Sequence, residues 1–324
     1  MTARAFWTVG PGQGELRAET LPPPSANEAL VRTLASGVSR GTESLVFSGR
    51  VPPNQYATMR CPFQAGDFPF PVKYGYSAVG IVEAGPPALL GKRVFCLHPH
   101  QDRFVAPVAM LSPVPDAVPT RRAVLAANME TAVNITWDAA VLPGERVLVI
   151  GAGVVGLLAA HLLARVPGVR LSVIDRDPAK ARAAAALGLA FAAPADAPDE
   201  AELIVHASGS PEGLALALGR AALEARIVEA SWFGDRLVPL ALGEAFHSRR
   251  LRLISSQVGA VAAPMRGRRS HAERLALALA LLDDARLDAL LDGPTPFADL
   301  PATMVRLSAA PSALCAVIAY DPSV

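Results

Sequence analysis

Three glycines at a fixed spacing are the residues best suited to bind a charged ligand. Gly151, Gly153 and Gly156 stand in the order G-x-G-x-x-G directly after the apolar, β-branched run 147–150. After a buried strand, the first glycine permits a tight turn, the second lets backbone approach a diphosphate, and the third packs helix against strand. An apolar helix predicted over 154–164 would present unpaired N–H groups and a positive dipole end to that anion. The pattern therefore predicts a dinucleotide-binding unit.

An aspartate after the second predicted strand bears on the choice of dinucleotide. Asp175 follows Gly156 by 19 positions (175 − 156), close to the ~20 typical of the acid that binds the adenosine ribose. Its carboxylate would accept hydrogen bonds from the 2′-hydroxyl and repel a 2′-phosphate, which favours NAD. Arg176 leaves NADP open, because a guanidinium there can bind that phosphate.

Further cofactor contacts are expected from small or apolar residues at the start of the helix and at the end of a later strand. Val154 and Val155 complete the glycine turn at the helix N-terminus. Ser208, followed by Gly209, ends a later predicted strand, where a small side chain would let the nicotinamide ribose approach.

Composition excludes several classes of function. The chain has 324 residues, 52% of them hydrophobic, and a formal net charge of +1. This predicts about two domains and no bulk attraction to nucleic acid or to a membrane surface. No secretory signal or membrane span is expected, and three scattered cysteines give no disulfide framework. We therefore expect a cytoplasmic protein.

The order of elements predicts two domains of α/β class. Residues 1–119 read as β-rich, residues 120–263 as alternating strands and helices of a doubly wound parallel sheet, and residues 264–324 as a tail that completes the first domain. Strands are predicted at 29–34, 79–83, 93–97, 104–107, 147–150, 171–174, 203–206, 226–230, 251–255 and 313–320. Helices are predicted at 120–140, 154–164, 178–187, 211–223, 243–249, 271–282 and 297–307. The polar stretches 36–44 and 72–80 are predicted to be functional loops.

Several phrases together resemble one enzyme superfamily. SGVSRGTE, YGYSAVGIVEAG, GKRVF and VLPGERVLVIGAGVVG are similar to the medium-chain dehydrogenase/reductase superfamily, nearest to its bacteriochlorophyllide dehydrogenase-like branch. The resemblance covers nearly the whole chain. It implies a GroES-like catalytic domain paired with a Rossmann domain, a small-molecule substrate, and a homodimer joined through the edge strand 251–255.

The residues at the zinc-ligand positions of that family are altered here. Ser39 stands where the family's G-V-C phrase has cysteine, and Tyr76 stands where its G-H-E phrase has histidine. Near residues 126–130, where a third ligand is expected, Glu130 is the candidate donor. Hydroxyls are poor zinc ligands at neutral pH compared with thiolate and imidazole, so the sequence predicts a member without zinc.

A rival metal site uses a different trio. Cys96, His98 and His100 alternate, and on a strand they would project from one face, where they could bind zinc. Pro99 disfavours a regular strand there. The other interpretation is a loop whose histidines are hydrogen-bonded or face a cleft.

Without a metal, hydrogen-bond donors must stabilise a developing oxyanion. Tyr76 is the candidate donor, and Lys73 could lower its pKa if the two heads meet. The competing interpretation makes Tyr76 a packed aromatic with a satisfied hydroxyl.

Four further residues are assigned roles in catalysis or cofactor binding. Thr42 and Ser39 are candidates to relay a proton, or else cap a loop. Glu130 would line the nicotinamide end of the cleft, or else serve as an N-terminal helix carboxylate. By resemblance, Arg40 would contact the cofactor's pyrophosphate.

The leading hypothesis is thus a nicotinamide-dependent oxidoreductase acting on an alcohol/ketone pair. The alternatives are an enone or quinone C=C reductase, a dinucleotide-binding protein that does not catalyse, and a zinc enzyme built on the Cys96 trio. The sequence does not identify the substrate.

Overall fold

The computed structural model describes residues 1–310 and 312–320. The strands are β1 Thr2–Gly10, β2 Gln13–Thr20, β3 Glu28–Val38, β4 Ala65–Gly66, β5 Val72–Lys73, β6 Ala78–Ala84, β7 Arg93–Cys96, β8 Arg103–Pro107, β9 Ser112–Pro113, β10 Arg146–Ile150, β11 Arg170–Ile174, β12 Ala190–Ala192, β13 Ala201–His206, β14 Ala221–Glu229, β15 Arg252–Ser255, β16 Leu291–Pro296 and β17 Cys315–Ala319. The helices are α1 Arg40–Phe47, α2 Thr120–Ala123, α3 Ala126–Ala139, α4 Val154–Leu163, α5 Ala181–Ala186, α6 Pro211–Arg220, α7 His271–Leu281 and α8 Leu300–Ala309. In the described residues, no helix combines the length and the apolar character needed to cross a bilayer.

The chain divides into two compact units. The first, here called the β unit, comprises Met1–Ala127 and Leu279–Val324; the second, the α/β unit, comprises Asn128–Ala278. The sequence placed the corresponding boundaries at 119/120 and 263/264. In the structure the divisions fall inside α3 and α7.

The α/β unit is built on a parallel sheet. Its strand order is β12-β11-β10-β13-β14-β15, so β15 lies at one edge. Ile150, Ile204 and Ile227 from its middle strands are buried and pack with Leu214 of α6. Burying each such side chain stabilises the fold by roughly 1.5–3 kcal/mol. A parallel sheet that is covered on both faces needs strands that are apolar along their whole length. The predicted fold class, α/β with a parallel sheet, is confirmed.

The β unit is organised around its longest strand. β3 pairs antiparallel with β6, with β8 and with the late strand β17. β1 and β2 form a hairpin in a second sheet, which also contains β4 and β5. The final strand therefore lies beside one formed near the start of the chain.

The stretch 36–44, predicted as a loop, is instead the end of a strand followed by a helix. β3 runs through Val38, and α1 begins at Arg40. One oxygen of Glu43 accepts the backbone N–H of Ser39 at 2.7 Å. This local bond satisfies an otherwise unpaired N–H where the helix starts, as a capping box does. The prediction was wrong here because the first polar residues read as turn signals.

Other differences have local causes. β12 has three residues and none is β-branched, and β16 contains Gly293 and Pro294, which argue against a strand. The helix predicted over 211–223 ends at Arg220, where β14 begins. Residues 242–248 form the π-type turn Leu242–Phe246, with non-helical backbone at Glu244, followed by helical backbone at His247 and Ser248.

Candidate active site

Each glycine of the turn after β10 has a distinct geometric reason. Gly151 has φ +111°, and a Cβ there would lie 2.7 Å from the backbone of Ala207 and of Ser208. A Cβ on Gly156 would overlap the carbonyl oxygen of Gly151. A Cβ on Gly153 would meet nothing within 4 Å. Two glycines are thus needed by the fold, and the middle one leaves open space where a ligand can approach.

That open space lies at the N-terminus of a helix. Gly153 is the N-cap of α4. It is partly exposed, as are Val154 and Val155, whereas the next six residues of the helix, 156–161, are buried. The first N–H groups of α4 therefore border this opening, which suits a diphosphate.

Asp175 follows the end of β11 and holds the turn in shape. One carboxylate oxygen accepts the N–H of Ala152 at 2.7 Å, and the other accepts the N–H of Asp177 at 2.9 Å. Each oxygen keeps further acceptor capacity. The sequence predicted an acid at this place, and its bond to the glycine turn is an added role.

Arg176 is exposed beside this acid. The pKa of Glu212 is lowered, chiefly by hydrogen bonds from the Ser210 side chain and its own backbone, and further by the positive charges of Arg176 and Arg236. Two guanidinium groups therefore lie near the N-terminus of α6.

Ser208 belongs to a hydrogen-bonded chain at the ends of β13 and β14. Its Oγ lies 2.6 Å from Nε2 of His206, whose Nδ1 lies 2.6 Å from Oε2 of Glu229. His206 is fully buried and Ser208 is exposed. Sequence reasoning found the serine but missed both partners, since 23 residues separate His206 from Glu229.

In the β unit, Tyr76 is brought together with the two predicted hydroxyl residues. Its phenolic oxygen is hydrogen-bonded to the side chains of Ser39 and Thr42. Burial raises the pKa of Tyr76 above its ordinary value, and the negative charge of Glu43 raises it further. The phenol is therefore held in its protonated form.

A second series of hydrogen-bonded polar side chains lies in the β unit and starts at Glu43. Glu43, which is 3% exposed, contacts Nε2 of His100 through Oε2 at 2.8 Å. Nδ1 of His100 lies 2.7 Å from Oγ of Ser36, which lies 3.1 Å from the hydroxyl of Tyr320. Glu43 was missed at the sequence level, although it lies inside the SGVSRGTE phrase.

The predicted action of Lys73 on Tyr76 is wrong. Nζ of Lys73 donates to Glu19 at 2.6 Å and to Gln101 at 3.0 Å. The pKa of Tyr76 moves upward, not downward, and its largest cause is burial. The ammonium is held by its own carboxylate partner.

The structure also contradicts a cleft-lining role for Glu130. It is 5% exposed and pairs with the buried Arg274 at 3.1 Å. Burial raises the pKa of Glu130, while Arg274 opposes that shift. Arg274 also donates to Asn134 at 2.6 Å and to the carbonyl of Val258 at 2.6 Å. Glu130 thus anchors a buried arginine.

Cys96, His98 and His100 do not converge. His98 stacks on Phe104 with ring centroids 3.9 Å apart, and its Nδ1 donates to the carbonyl of Pro99. Burial lowers the pKa of His98 to about 3 and raises that of the Cys96 thiol to about 12. Within residues 1–310 and 312–320, no group of three or more His, Cys, Asp or Glu side chains is placed to hold a metal.

Arg40 is the first residue of α1 and is partly buried. Its contact with a pyrophosphate stays a prediction.

No protein-family model matches this sequence. Solved structures match it along nearly its whole length. L-idonate 5-dehydrogenase of Escherichia coli is 14% identical, with a TM-score of 0.81 over 99% of each chain. An E. coli alcohol dehydrogenase complexed with NADH is 18% identical, with a TM-score of 0.78 over 98% of this chain and 99% of the other. A zinc-binding dehydrogenase of Sinorhizobium meliloti bound to NADP is 15% identical, with a TM-score of 0.79 over 98% and 99%.

The chain therefore has the same two-domain fold as these dehydrogenases. Two of these neighbours were solved with a nicotinamide dinucleotide bound, one with NADH and the other with NADP. The predicted pairing of a GroES-like β domain with a Rossmann domain is confirmed at the level of the fold.

Proposed function

We propose that this protein is a nicotinamide-dependent oxidoreductase that interconverts an alcohol and a ketone of a small-molecule substrate without catalytic zinc. The observation that carries the proposal is the glycine turn of the α/β unit. Gly153 opens onto free space at the N-terminus of α4, and Asp175 lies at the end of the neighbouring strand. That combination is the dinucleotide-binding arrangement of a doubly wound sheet.

The residues present fit a dinucleotide. The first N–H groups of α4 and the turn Gly151–Gly156 would hold the diphosphate, with Arg40 as a further contact. Asp175 would accept hydrogen bonds from the adenosine ribose, which favours NAD over NADP. Ser208 would lie by the nicotinamide ribose. When bound, the nicotinamide supplies or accepts the hydride.

The residues at the family's zinc-ligand positions do not fit zinc. Ser39 and Tyr76 offer hydroxyls, and zinc in proteins takes thiolate, imidazole and carboxylate ligands. The raised pKa of Tyr76 further disfavours a phenolate. We therefore assign the oxyanion's stabilisation to a hydrogen-bond donor.

Tyr76 is that donor. Its hydroxyl stays protonated, and Ser39 and Thr42 fix its direction. A positioned O–H can donate to the oxygen of a carbonyl substrate and strengthen that bond as negative charge develops. A protonated phenol suits ketone reduction better than alcohol oxidation at neutral pH.

Tyr76→Phe tests this role. We expect kcat for carbonyl reduction with NADH to fall about 100-fold or more, as is typical of losing a positioned acid. In the wild type, kcat/KM should stay level from about pH 7 to about pH 9.5, because the pKa of Tyr76 lies above the ordinary ~10. Tyr74→Phe, which removes a hydroxyl two positions away, is the control. Equal loss in both variants would contradict the assignment.

The position of hydride delivery separates the two redox chemistries. With deuterated NADH and an enone substrate, the proposed function places deuterium on the carbon that bears oxygen. Deuterium on the β-carbon would instead identify a C=C reductase. Binding of NADH without turnover across carbonyl and enone panels would identify a binding protein.

We also propose a cytoplasmic homodimer. The cysteines Cys61, Cys96 and Cys315 are free and buried, as suits a reducing compartment. β15 lies at the edge of the parallel sheet and can pair with a second copy.

A further inference from the structure

With Glu229 ionised and one proton on the imidazole of His206, the hydrogen-bonded chain Ser208–His206–Glu229 has a single direction. Oε1 of Glu229 accepts the N–H of Ser231 at 2.7 Å, and Oε2 contacts Nδ1 of His206 at 2.6 Å. An ionised carboxylate only accepts hydrogen bonds. When the imidazole carries one proton, that proton therefore lies on Nδ1, and Nε2 must accept. The Ser208 hydroxyl then donates its hydrogen to Nε2.

This direction fixes what the exposed serine offers to a ligand. Its only hydrogen is directed at His206, 2.6 Å away, and its oxygen also accepts the N–H of Ser210 at 3.1 Å. The remaining acceptor capacity of Oγ is available at the surface. Ser208 is thus held as an acceptor, able to meet a hydroxyl or amide donor and ill suited to an anion.

The serine lies beside the proposed dinucleotide site. The strand order reverses between β10 and β13, and ligands of such sheets bind outside the carboxyl ends of the strands at that reversal. Ser208 follows β13, and its backbone nitrogen would lie 2.7 Å from a Cβ on Gly151. Ser208 therefore lies next to the glycine turn, at the end of β13, whereas the turn follows β10.

We propose that His206 and Glu229 are positioning residues that present the Ser208 oxygen as a hydrogen-bond acceptor to a donor on the nicotinamide riboside half of the dinucleotide. The donor is an amide N–H or a ribose hydroxyl. The inference rests on the proposed function. In this arrangement the glycine turn binds the diphosphate. The hydrogen-bonded residues Ser208, His206 and Glu229 bind a neutral donor on the nicotinamide riboside.

Calorimetric titration with two ligands tests the inference. ADP-ribose carries the diphosphate and the adenosine but no nicotinamide. In Ser208→Ala we expect the Kd for NADH to rise about tenfold, the effect of one hydrogen bond, with the Kd for ADP-ribose unchanged. Ser248→Ala, which removes an exposed hydroxyl on the same unit bonded to the carbonyl of Glu244, is the control and should leave both constants unchanged.

Glu229→Gln tests the direction itself. The glutamine amide can donate to Nδ1, which would move the imidazole proton to Nε2 and make Ser208 a donor. We expect weaker NADH binding, unchanged ADP-ribose binding, and an exchange of tautomer in the ¹⁵N chemical shifts of His206. An unchanged tautomer with unchanged NADH affinity would overturn the proposal.

An analogue with an acetyl group in place of the carboxamide identifies the donor. If the amide donates, Ser208→Ala leaves the Kd of this analogue unchanged. If a ribose hydroxyl donates, Ser208→Ala raises the Kd of the analogue as much as it raises the Kd of NADH. Equal losses for NADH and ADP-ribose in Ser208→Ala would overturn the positioning role. Failure of the wild type to bind either ligand would instead refute the proposed function.

Discussion

Asp175 holds the glycine turn in shape, and it is also the residue that we propose accepts hydrogen bonds from the adenosine ribose. Its two oxygens already accept N–H groups of Ala152 and Asp177, at 2.7 and 2.9 Å. These bonds fix the direction of the carboxylate before a ligand arrives. A preorganised acceptor loses little conformational freedom on binding, so the contacts that shape the turn would also favour the proposed recognition of the ribose.

His98 makes the folded state sensitive to acid, because its imidazole is buried in the neutral form. Burial lowers its folded pKa to about 3, against ~6.5 in an unfolded chain. Between these values the unfolded chain binds the extra proton, so lowering the pH favours unfolding.

We expect the free energy of unfolding to fall below about pH 6.5 by up to about 1.4 kcal/mol per pH unit from this residue. His98→Asn should lessen that slope in denaturant titrations at several pH values, since asparagine does not titrate. The mutant's Nδ2 can still donate to the carbonyl of Pro99. Identical slopes for the two proteins would contradict the assignment.

At the scale of elements, helices α3 and α7 are tied by a buried arginine within the α/β unit. Arg274 is 1% exposed and bonds Glu130 and Asn134 of α3. It also holds the carbonyls of Val258 and Ala260. A buried charge with this many partners is costly to leave half-paired.

Arg274→Met should destabilise the protein by about 3–5 kcal/mol, because Glu130 is left buried without its cation. The measurement is denaturant unfolding. Adding Glu130→Gln to Arg274→Met should recover part of the loss, and no recovery would mean that the other arginine contacts dominate.

Strands and turns that are marked by a local sequence pattern could be predicted. Contacts between residues far apart in the sequence could not. The buried apolar strands β10, β11 and β13 were located to within two residues. The glycine turn and the position of Asp175 were predicted from their spacing together with the apolar strand and helix patterns that flank them. The Glu43–His100 pair joins residues 57 positions apart, and no periodicity reveals it. Lys73 lies near Tyr76 in sequence but bonds Glu19, so proximity along the chain misled the prediction.

At the scale of the whole molecule, the edge of the parallel sheet is the expected dimer surface. Leu253 on β15 is 39% exposed. We expect Leu253→Lys to shift the protein from dimer to monomer in light scattering, because a buried lysine at a strand-pairing interface is unfavourable. Leu142→Lys changes a more exposed leucine, 58% accessible in the turn before β10, and should leave the dimer intact. A monomeric wild type would refute the dimer.

The proposed function requires that the glycine turn of the α/β unit binds a nicotinamide dinucleotide. Gly153→Val tests this requirement. Because φ is −75° there and a Cβ meets nothing within 4 Å, the variant should fold while its side chain fills the ligand's space. Gly219→Val, in the equally open surroundings of α6, is the matched control. In calorimetry we expect NADH binding by the wild type and by Gly219→Val, and none by folded Gly153→Val. Absence of both NADH and NADPH binding in the wild type, or equal affinity in Gly153→Val, would contradict it.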